Sequence, residues 1–358
     1  MAYESKSFDI SLLSEENVKK YVLPKYNLQT ANICQIKFKN TEKQRAVYKV
    51  TYGNSSYCLK KVYYDEPNLL FVYSAVEWFY RNEIKVPRIL PASDGNRFVN
   101  YKNMFFILTP WIEGEKCDYD KKEHIVYSIE NLGKMHVSVE KFVPIKGSKV
   151  KEKSDSIYRS HEKHFFHLLK CSNYAFKEKD KFSDFFLKHF EKNIMLAKTS
   201  VDISHSINNN NLHRCLCHLD YVNKNIILSP NDNIWVIDFD KCAIDYRVHD
   251  IGYFLRRLLR RKNTNWDANL AIEILESYDK FIPLNLDEYR YILSYLSFPQ
   301  KFWKISRDYY KNINKCNKKS FQKILKSSVE DIDNQSEFVY LFGKHIESKF
   351  NKSLTCKK

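Results

Sequence analysis

The sequence is poor in glycine and has no long apolar run. Only 7 of its 358 residues are glycine, and no uninterrupted apolar stretch reaches the roughly 18 residues that suggest a membrane-spanning helix. The first residues, MAYESKSFDISLL, lack the basic start and apolar core of a signal peptide. We therefore expect no membrane span and an intracellular protein.

A disulfide framework is also missing. The nine cysteines are odd in number and scattered, which favours reduced thiols in an intracellular protein. Cys215 and Cys217 form a C-x-C pair rather than C-x-x-C, and the sequence has no second closely spaced pair of cysteines. This spacing disfavours a zinc site.

Basic residues outnumber acidic ones, giving a formal net charge of +16. Such a charge favours acidic partners such as nucleotides, nucleic acid or anionic surfaces. Lysine and asparagine are abundant throughout the chain, however, so a compositional bias explains much of the charge. No nucleic-acid recognition motif is present, and we do not expect nucleic acid as a partner.

The first hundred residues are typical of a β-rich unit with two helices. Three segments over residues 33–64 alternate or are β-branched and aromatic, with Gly53 in a hairpin turn. Ser14 and Pro67 mark the starts of two helices. The segments VPRIL, RFVNY and MFFILTPW also favour strands. We expect a five-stranded antiparallel sheet with one crossing helix.

From residue 114 onward the pattern is mostly helical, over about 157–204 and 266–350, with short β-like segments at 216–238 between. The predicted fold class is α+β. A small antiparallel β N-lobe at 1–110 and a larger, mostly helical C-lobe at 111–358 would meet at a hinge near 109–115. This combination suggests a two-lobed, protein-kinase-like fold.

Two acidic motifs lie within the β-like segments. The loop 217–227 contains H-x-D-x-x-x-x-N, filled by His218, Asp220 and Asn225, and the strand 234–240 carries Asp238 and Asp240 in an apolar run. Buried carboxylates are costly unless compensated. In phosphoryl transfer, one carboxylate faces the attacking hydroxyl while an amide and a second carboxylate hold magnesium. Both motifs in this order predict such a site, with Asp220 as base and Asn225 and Asp238 as metal ligands.

Each of these residues also has a plain structural interpretation. His218 is expected to pack as a scaffold residue even in a kinase, and Asp220 or Asn225 alone could cap a helix or a turn. These residues predict a function only when they occur together in this order.

The N-terminal half would supply a lysine for the phosphates. In YCLKKV, Cys58 and Lys60 share one face of the strand, so Lys60 is the candidate and Lys61 the solvated alternative. Its helix partner is Glu77 or Glu66, of which we prefer Glu77.

The motifs CHLDYVNKNIIL, VIDFDKCAIDYRVHDIG and LGKMH resemble those of the aminoglycoside phosphotransferase-like kinases. Within that group, WIEGEKCDYD, LSFPQKFWKISRDYY and other segments from about residue 10 to 320 are most similar to bacterial spore coat proteins of the CotS type. The resemblance implies a kinase-like fold that binds ATP and Mg²⁺. It also implies adenine contacts from the backbone near Trp111 and Ile112, and a bracing role for Asp250 at the catalytic loop.

The sequence departs from protein kinases at several points. Val222 replaces their catalytic-loop lysine, the metal motif is D-F-D rather than D-F-G, and no A-P-E segment follows. The first strand turn, KNTEKQRA, has no glycine, so Lys43 or Arg45 would replace backbone contacts to the phosphates.

Three functions remain open on the sequence. The first is an ATP- and magnesium-dependent phosphotransferase acting on a hydroxyl acceptor, most simply a small molecule, at the spore coat. The second is a catalytically weak or inactive kinase-fold protein of coat assembly, with other spore coat proteins as partners. The third, a basic nucleic-acid binder, predicts steep salt dependence of binding.

Overall fold

The fold comes from a computed structural model that describes residues 10–39, 45–153, 156–230 and 233–355. The chain divides into two compact units, each built from several segments. Unit 1 comprises Met1–Cys117, Ser138–Lys151 and Lys224–Cys242; unit 2 comprises Asp118–Val137, Glu152–Asn223 and Ala243–Lys358. The sequence predicted an N-lobe that ends at residue 110. Unit 1 also includes two segments later in the chain, and the second of them contains Asn225 and Asp238.

Unit 1 is organised around a five-stranded antiparallel sheet with the order β1-β2-β3-β5-β4. Its strands are β1 (Asn32–Lys39), β2 (Arg45–Tyr52), β3 (Ser55–Lys61), β4 (Val99–Tyr101) and β5 (Met104–Pro110). Alternate residues along β2 point inward, where Ala46, Tyr48 and Val50 are fully buried, as the period of two along a strand requires. The predicted antiparallel sheet is confirmed.

The segment at 86–90 is not a strand, contrary to the sequence prediction. It contributes a single bridge, Leu90 to Leu108, because Pro87 within the segment and Pro91 directly after it have no backbone N–H to donate to a ladder. The sheet therefore has five strands, although six segments carry a strand-like pattern.

Helices α1 (Glu15–Tyr21) and α2 (Glu66–Arg81) accompany this sheet. The Ser14 side chain accepts the Asn17 N–H at the start of α1, and Asp65 accepts the Asn68 N–H at the start of α2. Both contacts satisfy backbone donors that a helix start leaves unpaired. The later segments of unit 1 add a second sheet of β6 (Glu115–Lys116), β8 (Ile226–Ser229) and β9 (Asn233–Val236), in the order β6-β8-β9.

Unit 2 is mostly helical. A small sheet in this unit pairs β7 (Arg214–Cys217) with β10 (Ala243–Tyr246) in antiparallel fashion. The helices from residue 122 onward are α3 (Lys122–Ser138), α4 (Ile157–Glu178), α5 (Lys181–Lys188), α6 (Phe190–His205), α7 (Arg247–Leu259), α8 (Ala268–Asp279), α9 (Leu286–Ser297), α10 (Gln300–Lys311), α11 (Lys318–Ser327) and α12 (Ile332–Phe350). Among the helices of the described residues, none combines the length and apolar composition needed to cross a bilayer.

Candidate active site

Lys60 lies near the end of β3 in unit 1, and its ammonium binds two carboxylates. Lys60 Nζ is 2.7 Å from Asp238 Oδ1 and 2.7 Å from Asp240 Oδ1. Burial alone would lower the pKa of Lys60, but the charges of Asp240 and Asp238 outweigh it and raise the pKa above its ordinary value. The lysine is therefore charged and held in place. Lys61 points to the other side of β3. It is buried there, whereas the sequence predicted a solvated side chain.

The hairpin formed by β8 and β9 places Asp238 beside Asn225. The Ile237 N–H, one residue before Asp238, donates to the backbone oxygen of Asn225 at 2.9 Å. Asp238 adopts the left-handed region (φ 68°, ψ 64°) and begins the short 3-10 turn Phe239–Lys241. This turn lets two carboxylates in D-F-D reach the same lysine.

Carboxylate and amide oxygens are the ligands that Mg²⁺ prefers in proteins. Asn225, Asp238 and Asp240 offer such oxygens within unit 1, so the residues present fit a magnesium ion. Asp240 is the more buried carboxylate, with 5% of its surface exposed, and it also accepts a hydrogen bond from Tyr64 at 3.2 Å. Asp240 stands out in the sequence as a carboxylate in an apolar run, but its pairing with Lys60 is visible only in the structure.

Further basic groups surround Asp240. The Arg45 guanidinium lies 4.0 Å from Asp240 Oδ2 and stacks over Tyr63 at 4.2 Å, and Lys151 Nζ lies 3.5 Å from the Asp240 backbone oxygen. Arg45 is thus placed near the carboxylates that are candidate metal ligands, as its expected contact with phosphate requires. Lys43, the other candidate, lies outside the described residues.

Glu77 does not pair with Lys60, which corrects the sequence prediction. Its carboxylate binds Arg81 (3.0 Å) and Arg88 (2.9 Å). Burial alone would raise the pKa of Glu77, but the hydrogen bonds from Arg88 and Arg81 lower it. Asp238 and Asp240 neutralise Lys60 instead, and Glu77 is held by two arginines.

Trp111 and Ile112, which follow β5, differ in how their backbone N–H groups are used. The Trp111 N–H donates to the Ser56 oxygen at 3.0 Å and is used by the sheet. The Ile112 N–H makes no hydrogen bond within the part of the chain that the structure describes. Of the two residues predicted to contact adenine, Ile112 therefore has the available donor, while Lys49 lies over the Trp111 ring at 4.8 Å.

In unit 2, Asp250 at the start of α7 holds the backbone of the H-x-D segment. Its two oxygens accept the His218 and Leu219 N–H groups, each at 2.7 Å. Leu219 has a φ of 58°, a conformation unfavourable for a leucine. These two charge-assisted hydrogen bonds stabilise it.

Burial alone would raise the pKa of Asp250, but the neighbouring His136 and His218 and the His218 N–H outweigh it and lower the pKa. Asp250 is fully buried, so its charge is available only to these internal partners. The carboxylate acts on the loop and not on solvent.

Asp220 is buried, with 4% of its surface exposed. Its N–H donates to His218 Nδ1 at 3.1 Å, and Tyr253 donates to its Oδ1 at 3.4 Å. His218 therefore has the scaffold contact expected of it. Tyr253 was missed, although its position three residues after Asp250 on α7 places both on one helix face.

The family model of the phosphotransferase enzyme family (APH) matches residues 40–289, well over half of the chain. The chain belongs to this phosphotransferase family. The matched range contains Lys60, Asp220, Asn225, Asp238 and Asp250, so the residues described above fall within the shared part of the family.

Solved phosphotransferases share the fold across almost the whole chain. An aminoglycoside phosphotransferase from Alicyclobacillus acidocaldarius is 18% identical with a TM-score of 0.76, covering 92% of this chain and 96% of that chain. A spectinomycin phosphotransferase in complex with ADP and spectinomycin is 17% identical with a TM-score of 0.65, covering 91% and 98%. An amicoumacin kinase in complex with AMP-PNP and Ca²⁺ is 14% identical with a TM-score of 0.59, covering 97% of both chains. The predicted kinase-like α+β fold is confirmed.

The Lys60→Met variant is expected to lose stability in the absence of ligands. It removes the ammonium that lies between the Asp238 and Asp240 carboxylates, and breaking a buried pair costs about 3–5 kcal/mol. Urea denaturation monitored by circular dichroism measures the loss. Lys192→Met is the matched control, because Lys192 and its partner Asp333 are 59% and 74% exposed and such pairs contribute at most about 1 kcal/mol. Equal stabilities of the two variants would contradict the assignment.

Proposed function

We propose that the chain transfers the γ-phosphoryl group of ATP to a hydroxyl group of a small molecule, with Mg²⁺ as cofactor. The observation that carries the proposal is the contact of Lys60 with Asp238 and Asp240, at 2.7 Å each, in a member of the phosphotransferase family. A lysine held between carboxylates at the end of β3 is suited to bind phosphate once a divalent cation occupies the carboxylates.

The candidate site residues form two groups, one that would bind the nucleotide and one that would activate the acceptor. On the nucleotide side, Asn225 and Asp238 would hold Mg²⁺, Lys60 would bind phosphate oxygens, and the Ile112 N–H would donate to adenine. Magnesium supplies charge neutralisation of the phosphates when bound. These residues all belong to unit 1.

On the acceptor side, Asp220 would orient the acceptor hydroxyl and take its proton as the oxygen attacks the γ-phosphorus and the bond to ADP breaks. His218 and Asp250 hold the loop that presents Asp220, and Tyr253 holds the carboxylate itself. No covalent enzyme intermediate is required, since positioning and electrostatics carry most of the catalysis.

The solved relatives support the substrate class. One was determined with ADP and spectinomycin, one with AMP-PNP and amicoumacin, and another is a microcompartment-associated aminopropanol kinase. From these substrates we infer that the acceptor for this chain is a small molecule with a hydroxyl group.

The test is a screen of aminoglycosides, spectinomycin, amicoumacin and amino alcohols with Mg-ATP, followed by ADP release and by mass spectrometry of the acceptor. We expect at least one acceptor to gain a phosphate, and the reaction to stop when EDTA removes the magnesium. An absence of phosphorylated product, together with an absence of Mg-ATP binding, would favour the scaffold function.

We further propose that the protein acts at the bacterial spore coat. The support is the resemblance of segments such as WIEGEKCDYD and LSFPQKFWKISRDYY to spore coat proteins of the CotS type. A role in coat assembly without turnover is the second candidate. Fluorescent tagging in sporulating cells tests the location, and coat assembly that survives Asp220→Asn while transfer is lost separates the two functions.

A further inference from the structure

A second group of candidate ligands lies in unit 2, immediately before the H-x-D segment. Cys215 and Cys217 on β7 and His136 in the last turn of α3 bring their ligand atoms within 4.8 Å of one another. We call these three residues the Cys₂His cluster. None of them belongs to the magnesium-binding set, which lies in unit 1.

The two sulfurs already have a separation suited to one metal ion. Residues two apart on a strand point to the same face, and Cys215 Sγ and Cys217 Sγ are 3.9 Å apart. Two thiolates on a tetrahedral zinc ion, with Zn–S distances of about 2.3 Å, stand about 3.8 Å apart. The C-x-C pair therefore needs little rearrangement to bind zinc.

His136 offers a buried ring nitrogen that faces the Asp250 carboxylate. Its Nδ1 is 2.8 Å from the Tyr278 hydroxyl, which fixes the ring as a partner to a metal-binding histidine does. Its Nε2 is buried and lies 3.5 Å from Asp250 Oδ2. Both Asp250 oxygens also accept loop N–H groups, each at 2.7 Å. A metal ion bound to Nε2 would leave these two loop contacts of Asp250 in place.

We propose that Cys215, Cys217 and His136 bind a zinc ion that stabilises the start of the catalytic loop. Two thiolates and an imidazole are the ligand types that select zinc over magnesium. Binding releases the two thiol protons to solvent, and two thiolates then neutralise the Zn²⁺ charge, which suits a buried position. The ion links α3 to β7, the strand that continues into His218 and Asp220.

The proposal predicts one tightly bound zinc ion per chain. The reduced full-length protein is stripped with a chelator, and Zn²⁺ is titrated in competition with a chromophoric chelator in the presence of excess Mg²⁺. Cys215→Ser and Cys217→Ser are each expected to weaken zinc binding by at least about 100-fold, the upper range for disturbing the surroundings of a metal site. Cobalt in place of zinc is expected to give the near-ultraviolet thiolate charge-transfer band.

Cys34→Ser is the matched control, because Cys34 is exposed and outside the cluster, and it should bind zinc as the wild type does. Cys215 is only partly buried, so its serine variant remains informative if Cys217→Ser fails to fold. Zinc should also raise the thermal midpoint of the wild type but not of Cys215→Ser. The proposal is overturned if zinc binding is absent, if Cys215→Ser binds equally well, or if the cobalt form lacks the thiolate band.

Discussion

Asp220→Asn is expected to lower kcat by about 10²–10⁴-fold, the range for loss of a general base. Asparagine has the shape of aspartate and can keep the contact with Tyr253, now 3.4 Å from Asp220 Oδ1, but it cannot take the acceptor proton. Because Lys60, Asn225 and Asp238 are unaltered, the affinity for Mg-ATP should change little. Steady-state ADP release with an acceptor from the screen gives kcat, and equilibrium dialysis gives the affinity.

The matched control is Asp245→Asn. Asp245 and Asp220 both belong to unit 2 and both have 4% of their surface exposed, so both substitutions remove a buried negative charge. Asp245 has no assigned role in the reaction, and its variant should retain kcat within a small factor. If Asp220→Asn reacts as fast as this control, the base lies elsewhere and the role of the H-x-D motif is structural.

Asp238→Ala is expected to weaken Mg-ATP binding by at least about 10–100-fold, by analogy with changes around other metal sites. The substitution removes a carboxylate ligand of the proposed magnesium and frees Lys60 from one of its two partners. Equilibrium dialysis with radiolabelled ATP measures the affinity in the presence and absence of Mg²⁺.

The magnesium dependence is the internal control for this second variant. With EDTA present, Asp238→Ala should bind ATP at least as well as the wild type, because the lost metal ligand matters only when the metal is there and Lys60 has one carboxylate partner fewer. Asp94→Ala, an exposed change in unit 1, should behave as the wild type in both conditions. A variant that keeps its magnesium-dependent affinity would remove Asp238 from the metal site.

Local patterns in the sequence predicted the parts of the fold that depend on neighbouring residues. Alternation along YCLKKV separated Lys60 from Lys61, and helix caps such as Ser14 follow from short-range hydrogen bonding. The hairpin that brings Asp238 next to Asn225 was readable from two adjacent β segments. Each of these inferences needs only the geometry of one strand or one turn.

Pairings between distant side chains could not be predicted in the same way. Glu77 binds Arg88 rather than Lys60, because the direction of the carboxylate depends on how α2 packs and on which cation lies closest. His136 is remote in sequence from Cys215 and Cys217, so the cysteine spacing alone argued against a metal. The strand prediction at 86–90 was wrong because Pro87 lies within the segment and Pro91 directly follows it, and hydrophobicity alone does not register the missing N–H groups.

Calorimetric titration of the wild-type protein with ATP, once with Mg²⁺ and once with EDTA, tests the phosphotransferase assignment most directly. The assignment predicts a saturable heat with one nucleotide per chain when magnesium is present, and a much weaker signal when it is removed. A protein that shows no binding up to about millimolar Mg-ATP, the upper end of ordinary substrate KM values, would contradict it. The Lys60, Asp238 and Asp240 cluster would then be a structural remnant, and the scaffold function would replace the enzymatic one.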